Sequence, residues 1–357
     1  MKYRISALTA LLSIIWLTYS CDDGSVLMKN STGKPGELVV VMGKEYWESK
    51  AGDTIQYYLS QPQLGLPQVE PILTVTNIPP EAFKAFETTR NLVVTKISPT
   101  VTEAAVTVQK EIFSKSQLVV SVQAPDVESF VKIFSEKSDY IIAAILQAEK
   151  RRLMEMYAKP RYRSEPIHEH LMQKHNYTLN VPKGYDLLKD TSDFVWIAYD
   201  AQLTTQGIAV YSFPYESDST FTTEYLLHKR DSVMKLHIPG PTPGSYMTTE
   251  HQVPALAQSF RLNGNYTVEI RGLWRVEGDF MGGPFVSLSS LDLARNRVVT
   301  AEGFLYSPKY DKRDYLRQLE AVIYSLTFNN QDINDKLNKQ YNFGETETEP
   351  ADSVTTR

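Results

Sequence analysis

The sequence predicts an α+β protein of two tandem domains, each with a mainly antiparallel sheet packed by helices. Three observations support this class. The chain has 357 residues, more than a single domain of roughly 100–200 residues would use. Hydrophobic residues make up 42% and charged residues 22%, as is typical of globular proteins with a buried core. In both halves, short β-branched runs are followed by amphipathic stretches, so each sheet has helices to pack against it.

The N-terminal domain, residues 37–159, is predicted to open with a strand over 37–42. This apolar run is short and rich in valine, as in strands that are buried on both faces. A long helical region over 125–158 closes the domain, because its apolar residues recur at helical spacing. Between them the pattern predicts a helix over 54–60, a strand over 72–76, a Pro-led helix over 79–88, and strands over 91–97, 105–113 and 117–123.

The C-terminal domain, residues 160–330, is predicted to end in a helix that follows Pro308. Leu316, Leu319 and Val322 recur there at helical spacing, so this face should pack on the sheet. Before it the pattern predicts strands over 177–181, 185–189, 194–199 and 207–213, a helix over 221–236, and strands over 259–262, 266–276, 285–293 and 297–305.

The two halves share one order of elements: strand, helix, Pro-led segment, three strands, helix. Residues 48–59 align without gaps on residues 216–227, and Pro80 falls on Pro254 after a small shift of the offset. We interpret the shared order as a duplication. The alternative is a coincidence between two common α+β patterns.

The N-terminus predicts a lipoprotein signal peptide over residues 1–20. Lys2 and Arg4 precede an uncharged, mainly apolar run over 5–17, which is shorter than a membrane-spanning helix. The small residue Ser20 precedes Cys21, as in a lipobox, although Thr18 and Tyr19 depart from the tightest pattern. We therefore expect acyl chains such as palmitate on Cys21, which would anchor the protein to a membrane. The alternative is an ordinary signal peptide followed by an incidental cysteine.

Residues 21–36 are predicted to be a tether, and the acidic residues 342–357 a disordered tail. We expect a cell-envelope protein, with the outer membrane favoured, on its periplasmic face or at the cell surface. Asp22 and Asp23 leave this open, because acids after the lipidated cysteine act as an inner-membrane signal in some bacteria and resemble a surface-export signal in Bacteroidota.

Composition excludes some functions. The net charge of −5 argues against nucleic-acid binding, which requires clustered cations. The basic run Lys150-Arg151-Arg152 is interpreted as a solvated helix face. Cys21 is the single cysteine, so the chain can form neither an internal disulfide nor a thiolate metal cluster.

His168, His170 and His175 form the one histidine cluster in the sequence. On a helix, residues two apart point away from each other, and Met172 stands where an HExxH zinc motif would need its second histidine. We interpret the three as exposed linker histidines, and we expect no metal ligands and no cofactor. Neither a G-x-S-x-G elbow nor a phosphate-binding loop is present, so catalytic residues remain unassigned.

Several short motifs carry a family resemblance: Gly36–Met42 followed by Glu45-Tyr46-Trp47, then Leu64–Gln68, Asn77–Pro80 and Arg271–Trp274. On these residues the chain resembles, over roughly 35–328, an uncharacterised family of Bacteroidota lipoproteins, domain of unknown function 4837. The resemblance implies an envelope location and brings no activity.

The anchor and the paired domains favour a binding or scaffolding protein of the envelope, with a possible envelope protein as partner. A groove between the domains would be its natural site. The alternatives are an envelope hydrolase whose site lacks a sequence motif, for which the histidine cluster is the candidate, and a glycan-binding protein that uses exposed Trp or Tyr.

Overall fold

A computed structural model describes residues 28–330. The predicted signal peptide, Cys21 and the predicted tail lie outside these residues. The N-terminal domain contains the strands β1 (Glu37–Val41), β2 (Thr74–Ile78), β3 (Asn91–Ile97), β4 (Ala105–Lys110) and β5 (Leu118–Ala124), and the helices α1 (Lys44–Trp47), α2 (Lys50–Leu59), α3 (Phe83–Phe86) and α4 (Val127–Tyr157).

The N-terminal sheet has the order β2-β1-β3-β5-β4. β1 runs parallel to β2 and β3, β3 runs parallel to β5, and only β4 is antiparallel to its neighbour β5. The α+β class is confirmed, but the expectation of a mainly antiparallel sheet is wrong for this domain. The connection through α1 and α2 is long enough to return the chain parallel to β1, as a two-residue hairpin could not. Helices α2 and α4 cover one face, where Leu38, Val40 and Val93 are fully buried.

Within the described residues, the C-terminal domain contains three α-helices, ten strands and a 3₁₀ turn that precedes its second helix. These are α5 (Glu165–His175), β6 (Tyr177–Thr178), β7 (Asp186–Asp190), β8 (Phe194–Ala201), β9 (Thr204–Pro214), a 3₁₀ turn (Asp218–Phe221), α6 (Thr223–His237), β10 (Tyr246–Thr249), β11 (Leu256–Leu262), β12 (Asn265–Glu277), β13 (Gly282–Asp292), β14 (Arg297–Tyr306), α7 (Arg313–Ile323) and β15 (Thr327–Phe328).

The large C-terminal sheet has the order β10-β12-β13-β14-β9-β8-β7, with β11 also paired to β12. All of these pairings are antiparallel, as the sequence predicted for this domain. Helices cover both faces. Ile208 and Val210 of β9 pack in the cluster with α7, whereas Ala209 packs with α6. The central strands are therefore buried on both sides, which explains their continuous apolar runs.

The pairing of the strands does not support a duplication. β1 lies between two parallel neighbours, whereas its counterpart β9 lies between β8 and β14, both antiparallel to it. The two halves share an order of elements along the chain but not a sheet topology. Element order is set by local periodicity, and topology is set by which strands meet, so a shared order can arise without a shared fold.

The N-terminal domain begins before residue 37. Thr32 exchanges backbone hydrogen bonds with Thr88 and Arg90, at 2.9 Å each, and the Gly36 amide donates to Glu149 at 3.1 Å. The described part of the predicted tether, residues 28–36, is therefore bound to the domain through backbone hydrogen bonds. Within residues 28–330, no helix combines the length and apolar content needed to cross a bilayer.

Candidate ligand groove between the domains

The loop Gln61–Leu73, here called the clasp, joins the two domains. It leaves α2 in the N-terminal domain and packs against α7 of the C-terminal domain. Both carboxylate oxygens of Glu70 accept backbone hydrogen bonds from the start of α7, from Lys312 at 2.7 Å and Arg313 at 2.8 Å. Leu66 packs on the hydrophobic core of the C-terminal domain. The clasp therefore fixes the position of α7 relative to the N-terminal sheet.

A groove of about 480 Å³ lies between the domains, beside the clasp. This volume is within the range of small-molecule sites. Helix α4 and the clasp form its N-terminal side, and β11, β12 and α7 form its C-terminal side. Its apolar lining comes from both domains: Leu64, Ile72, Ile142, Leu146, Leu153 and Leu256. The groove that the sequence analysis expected between the domains is therefore present.

Lys150 of α4 lies at the polar end of the groove. Its ammonium group is 3.4 Å from the centre of the Tyr324 ring, across the domain boundary. Burial lowers the pKa of Lys150, and the nearby Glu320 and Glu269 oppose that shift. A cation over an aromatic ring in a desolvated place stabilises the contact by about 2 kcal/mol. Lys150 is thus a partly buried cation facing the groove.

Arg317 of α7 is a second cation in the lining, and its side chain is 8% exposed. Its Nη2 atom donates to the Ile72 carbonyl at 2.6 Å and to Gln63 Oε1 at 3.1 Å. Within residues 28–330, its buried Nη1 atom has no hydrogen-bond partner and its guanidinium forms no salt bridge. Burial, with the neighbouring Arg313, lowers the pKa of Arg317, but an arginine remains charged at neutral pH.

The buried acids of the groove are already paired. Glu269 accepts two hydrogen bonds from Arg271, at 2.8 and 3.0 Å, and Arg271 also donates to Glu320 at 2.5 Å. Burial alone would raise the pKa of Glu269, but Arg271 outweighs burial and the pKa falls. The third acid of the lining, Glu149, pairs with Arg152, and the fourth, Asp139, is exposed. Lys150 and Arg317 are the two basic lining residues that form no salt bridge within residues 28–330.

Lys150, Arg151 and Arg152 do not form the solvated face that the sequence suggested. Lys150 faces the groove, and Arg152 donates to the Ser116 carbonyl and to Glu149, at 2.5 Å each. Only Arg151 keeps a partly solvated position, with 38% of its side chain exposed. The interpretation was wrong because α4 lies between its own sheet and the second domain, so most of its surface is covered.

The three histidines lie on α5, a helix that the sequence analysis missed. His168 Nδ1 is 3.0 Å from the Leu179 carbonyl oxygen. His170 and His175 instead turn toward Asp190, with Nε2 atoms 2.7 and 2.8 Å from its two carboxylate oxygens. The interpretation as exposed linker histidines is wrong for His175, which is 4% exposed.

Local sequence explains this geometry. Asn176 adopts a left-handed conformation, with φ of 61°, and ends α5 directly after His175. A bulge between Leu187 and Lys189 changes which side of the sheet the following side chains lie on, and Asp190 is at this end of β7. Neither feature has a strong sequence signal, so the convergence could not be predicted.

Two of the tryptophans, Trp196 and Trp274, are core residues and do not form a surface platform of the kind that a glycan-binding protein needs. Trp274 is 3% exposed and packs edge-on to Phe304 in the C-terminal core, with ring centroids 6.1 Å apart. Trp196 is partly buried and packs on the same core. Strand packing accounts for both residues.

Comparison with known families divides the chain at the same place as the fold. Residues 164–325 match the family described as Domain of unknown function (DUF4837). The resemblance stated from the sequence is confirmed over these residues. Residues 31–158 match a different one, Domain of unknown function (DUF8532). The groove therefore lies between the two regions that match these family models.

Other comparisons add little. A solved structure from Bacteroides thetaiotaomicron VPI-5482 is 12% identical, over 44% of this chain and 46% of that chain, with a TM-score of 0.20. This chain spans less than half of that structure, and so low a TM-score carries no argument about fold. No protein of curated function matches the chain.

The motif over residues 64–68, one of those that carried the resemblance, lies in the region that matches DUF8532 and forms part of the clasp. The motif over residues 271–274 lies in the region that matches DUF4837, where Arg271 pairs with Glu269 and Glu320 of the groove. Arg317 had no motif of its own. At helical spacing it lies with Arg313 and Glu320 on the side of α7 away from Leu319 and Val322, and no sequence pattern showed that this side is also buried.

Proposed function

We propose that this chain is an exported, lipid-anchored binding protein of the cell envelope that holds a small amphiphile in the groove between its domains. The N-terminal sequence supports export and anchoring through Cys21. The groove supports ligand binding, since part of its lining is apolar and two of its lining cations, Lys150 and Arg317, form no salt bridge within residues 28–330. The ligand class that fits is a molecule with an apolar body and one anionic group, such as a carboxylate or a phosphate.

Arg317 is the observation that carries this proposal. Burying a guanidinium without full hydrogen bonding is costly, and mutational studies put an unsatisfied buried polar group at about 1–3 kcal/mol. An anionic group bound in the groove beside Arg317 would interact favourably with its charge and offset part of that cost. Arginine also suits this role because its planar group binds carboxylate and phosphate in a fixed geometry.

The test is to purify the lipid-anchored protein from its native membrane and to analyse the small molecules that remain bound by mass spectrometry. Leu146→Trp fills the groove with a larger side chain, and Arg317→Met removes the charge but keeps the length. The matched control is Leu236→Trp, at a residue of α6 that is 73% exposed and lies outside the groove.

We expect one anionic amphiphile bound to the wild type and to Leu236→Trp, and at least about tenfold less of it on the other two variants, since 1.4 kcal/mol changes an affinity tenfold. Circular dichroism must show that all variants are folded. The same molecules on all four proteins, or none on any, would contradict the proposal.

A further inference from the structure

His170, His175 and Asp190 come together near the C-terminal end of α5. One nitrogen from each histidine and one oxygen from Asp190 lie within 4.8 Å of one another. Lys174 Nζ also lies 2.6 Å from Asp190 Oδ2. Three basic side chains therefore surround one carboxylate, at a place that has no part in the groove.

His175 is held in position by neighbouring residues. The His175 ring stacks on the Tyr177 ring with centroids 5.5 Å apart. The His175 carbonyl accepts a hydrogen bond of 2.7 Å from Arg297, which is itself paired with Asp292 at 2.9 Å. Preorganised side chains lose little entropy on binding, and this favours a ligand site over a chance surface contact.

Access also fits a ligand site. The His170 side chain is 39% exposed, so a solute reaches the cluster from its side.

We propose that His170, His175 and Asp190 form a binding site for a divalent transition-metal ion of the zinc type. Two imidazoles and a carboxylate are a donor set that suits Zn²⁺ and Co²⁺, whereas Ca²⁺ and Mg²⁺ prefer oxygen ligands alone. The protein supplies three ligands, and solvent or a substrate atom would complete a tetrahedral shell. This site departs from the sequence-based expectation of no metal ligands.

A substitution of Lys174 distinguishes a metal site from an ion-pair cluster. Its ammonium group competes with a cation for the same carboxylate oxygen. In a metal site, Lys174→Met removes this repulsion and strengthens Zn²⁺ binding. In an ion-pair cluster, the same change only removes a partner of Asp190 and creates no Zn²⁺ affinity.

The test is titration calorimetry of the full chain with ZnCl₂, with Cys21→Ser as the background so that no thiol takes part. We expect one Zn²⁺ per chain, with binding weakened at least about tenfold by His170→Ala, His175→Gln or Asp190→Asn, and strengthened by Lys174→Met. His251→Ala is the matched control, since His251 lies 2.7 Å from Asp231 without a second histidine.

Thermal unfolding of each variant without metal shows whether it is folded. If His175→Gln does not fold, His170→Ala decides the test, because His170 is partly exposed. Absence of saturable Zn²⁺ binding overturns the proposal. So does binding that survives His170→Ala and Asp190→Asn, or that is lost equally in His251→Ala.

Discussion

Among single residues, Arg230 of α6 is the largest described side chain that is less than 2% exposed, at 1%. Two of its nitrogens donate to Glu302 of β14, at 2.9 and 2.7 Å, and a third donates to Thr249 at 3.0 Å. The guanidinium also lies 3.9 Å from the centre of the Phe285 ring. Burial raises the pKa of Glu302, while Arg230 opposes that shift.

Arg230→Met should lower the free energy of unfolding by about 3–5 kcal/mol, because it leaves a buried carboxylate without its partner. The loss of Arg230 raises the pKa of Glu302 further above its unfolded value. The variant is therefore most stable at a pH below the pKa of Glu302 in the unfolded chain. Its stability falls as the pH rises through the pKa of Glu302 in the folded protein. Urea unfolding at pH 5 and pH 8 measures both effects.

Arg230→Met combined with Glu302→Leu is the control, since replacing both partners of a buried pair by apolar residues is often neutral. The double variant should recover most of the lost stability. It should also lose the excess sensitivity to pH, because no buried carboxyl group remains to titrate. If the single variant is as stable as the wild type at pH 8, the pair has no structural role.

Among elements, α7 depends on a residue of the other domain. Its N-cap, Lys312, makes no side-chain capping hydrogen bond, and Glu70 of the clasp accepts from the first backbone amides in its place. A carboxylate at a helix N-terminus satisfies open donors and interacts favourably with the helix dipole. This cap therefore makes the stability of α7 depend on its contact with the N-terminal domain.

Glu70→Ala should lower the free energy of unfolding by about 1–2 kcal/mol, as the loss of an N-cap typically does. Hydrogen exchange should also rise in the first turn of α7 and in the clasp. Asp126→Ala is the matched control, because Asp126 caps α4 within its own domain through the Ser129 amide at 2.7 Å. Equal exchange changes in α7 for both variants would contradict this role of Glu70.

At the scale of the whole molecule, the two domains share a boundary that forms the groove. Lys150 and the clasp come from the N-terminal side, whereas Tyr324 and Arg317 come from the C-terminal side. Any rotation of one domain against the other therefore changes the width of the groove. Ligands commonly bind at such boundaries, because both domains contribute contacts.

The proposed anchor also acts on the whole molecule. Cys21→Ser should move the protein from the membrane fraction to the soluble fraction, because acyl chains contribute about 0.8 kcal/mol per buried methylene. Fractionation and mass spectrometry of the N-terminal peptide measure the change. Membrane association that persists in Cys21→Ser, without acylation of the wild type, would contradict the anchor.

Local sequence was sufficient to predict most elements. The strand over 91–97 was predicted with the bounds that β3 has, because its apolar run ends sharply on both sides. Helix α5 was missed, since only Ile167 and Leu171 mark its buried face before His175. β10 was missed because it is four residues long and follows a Pro-rich loop.

The sequence by itself determined the α+β class, the positions of most strands and helices, and the single cysteine at position 21. These properties depend on residues that are neighbours along the chain. Only the tertiary structure decided the parallel pairing around β1, the enclosure of Lys150 at the groove, and the convergence of His170 and His175 on Asp190. These depend on which distant segments meet, and that is set by the packing of sheets and helices rather than by any local pattern.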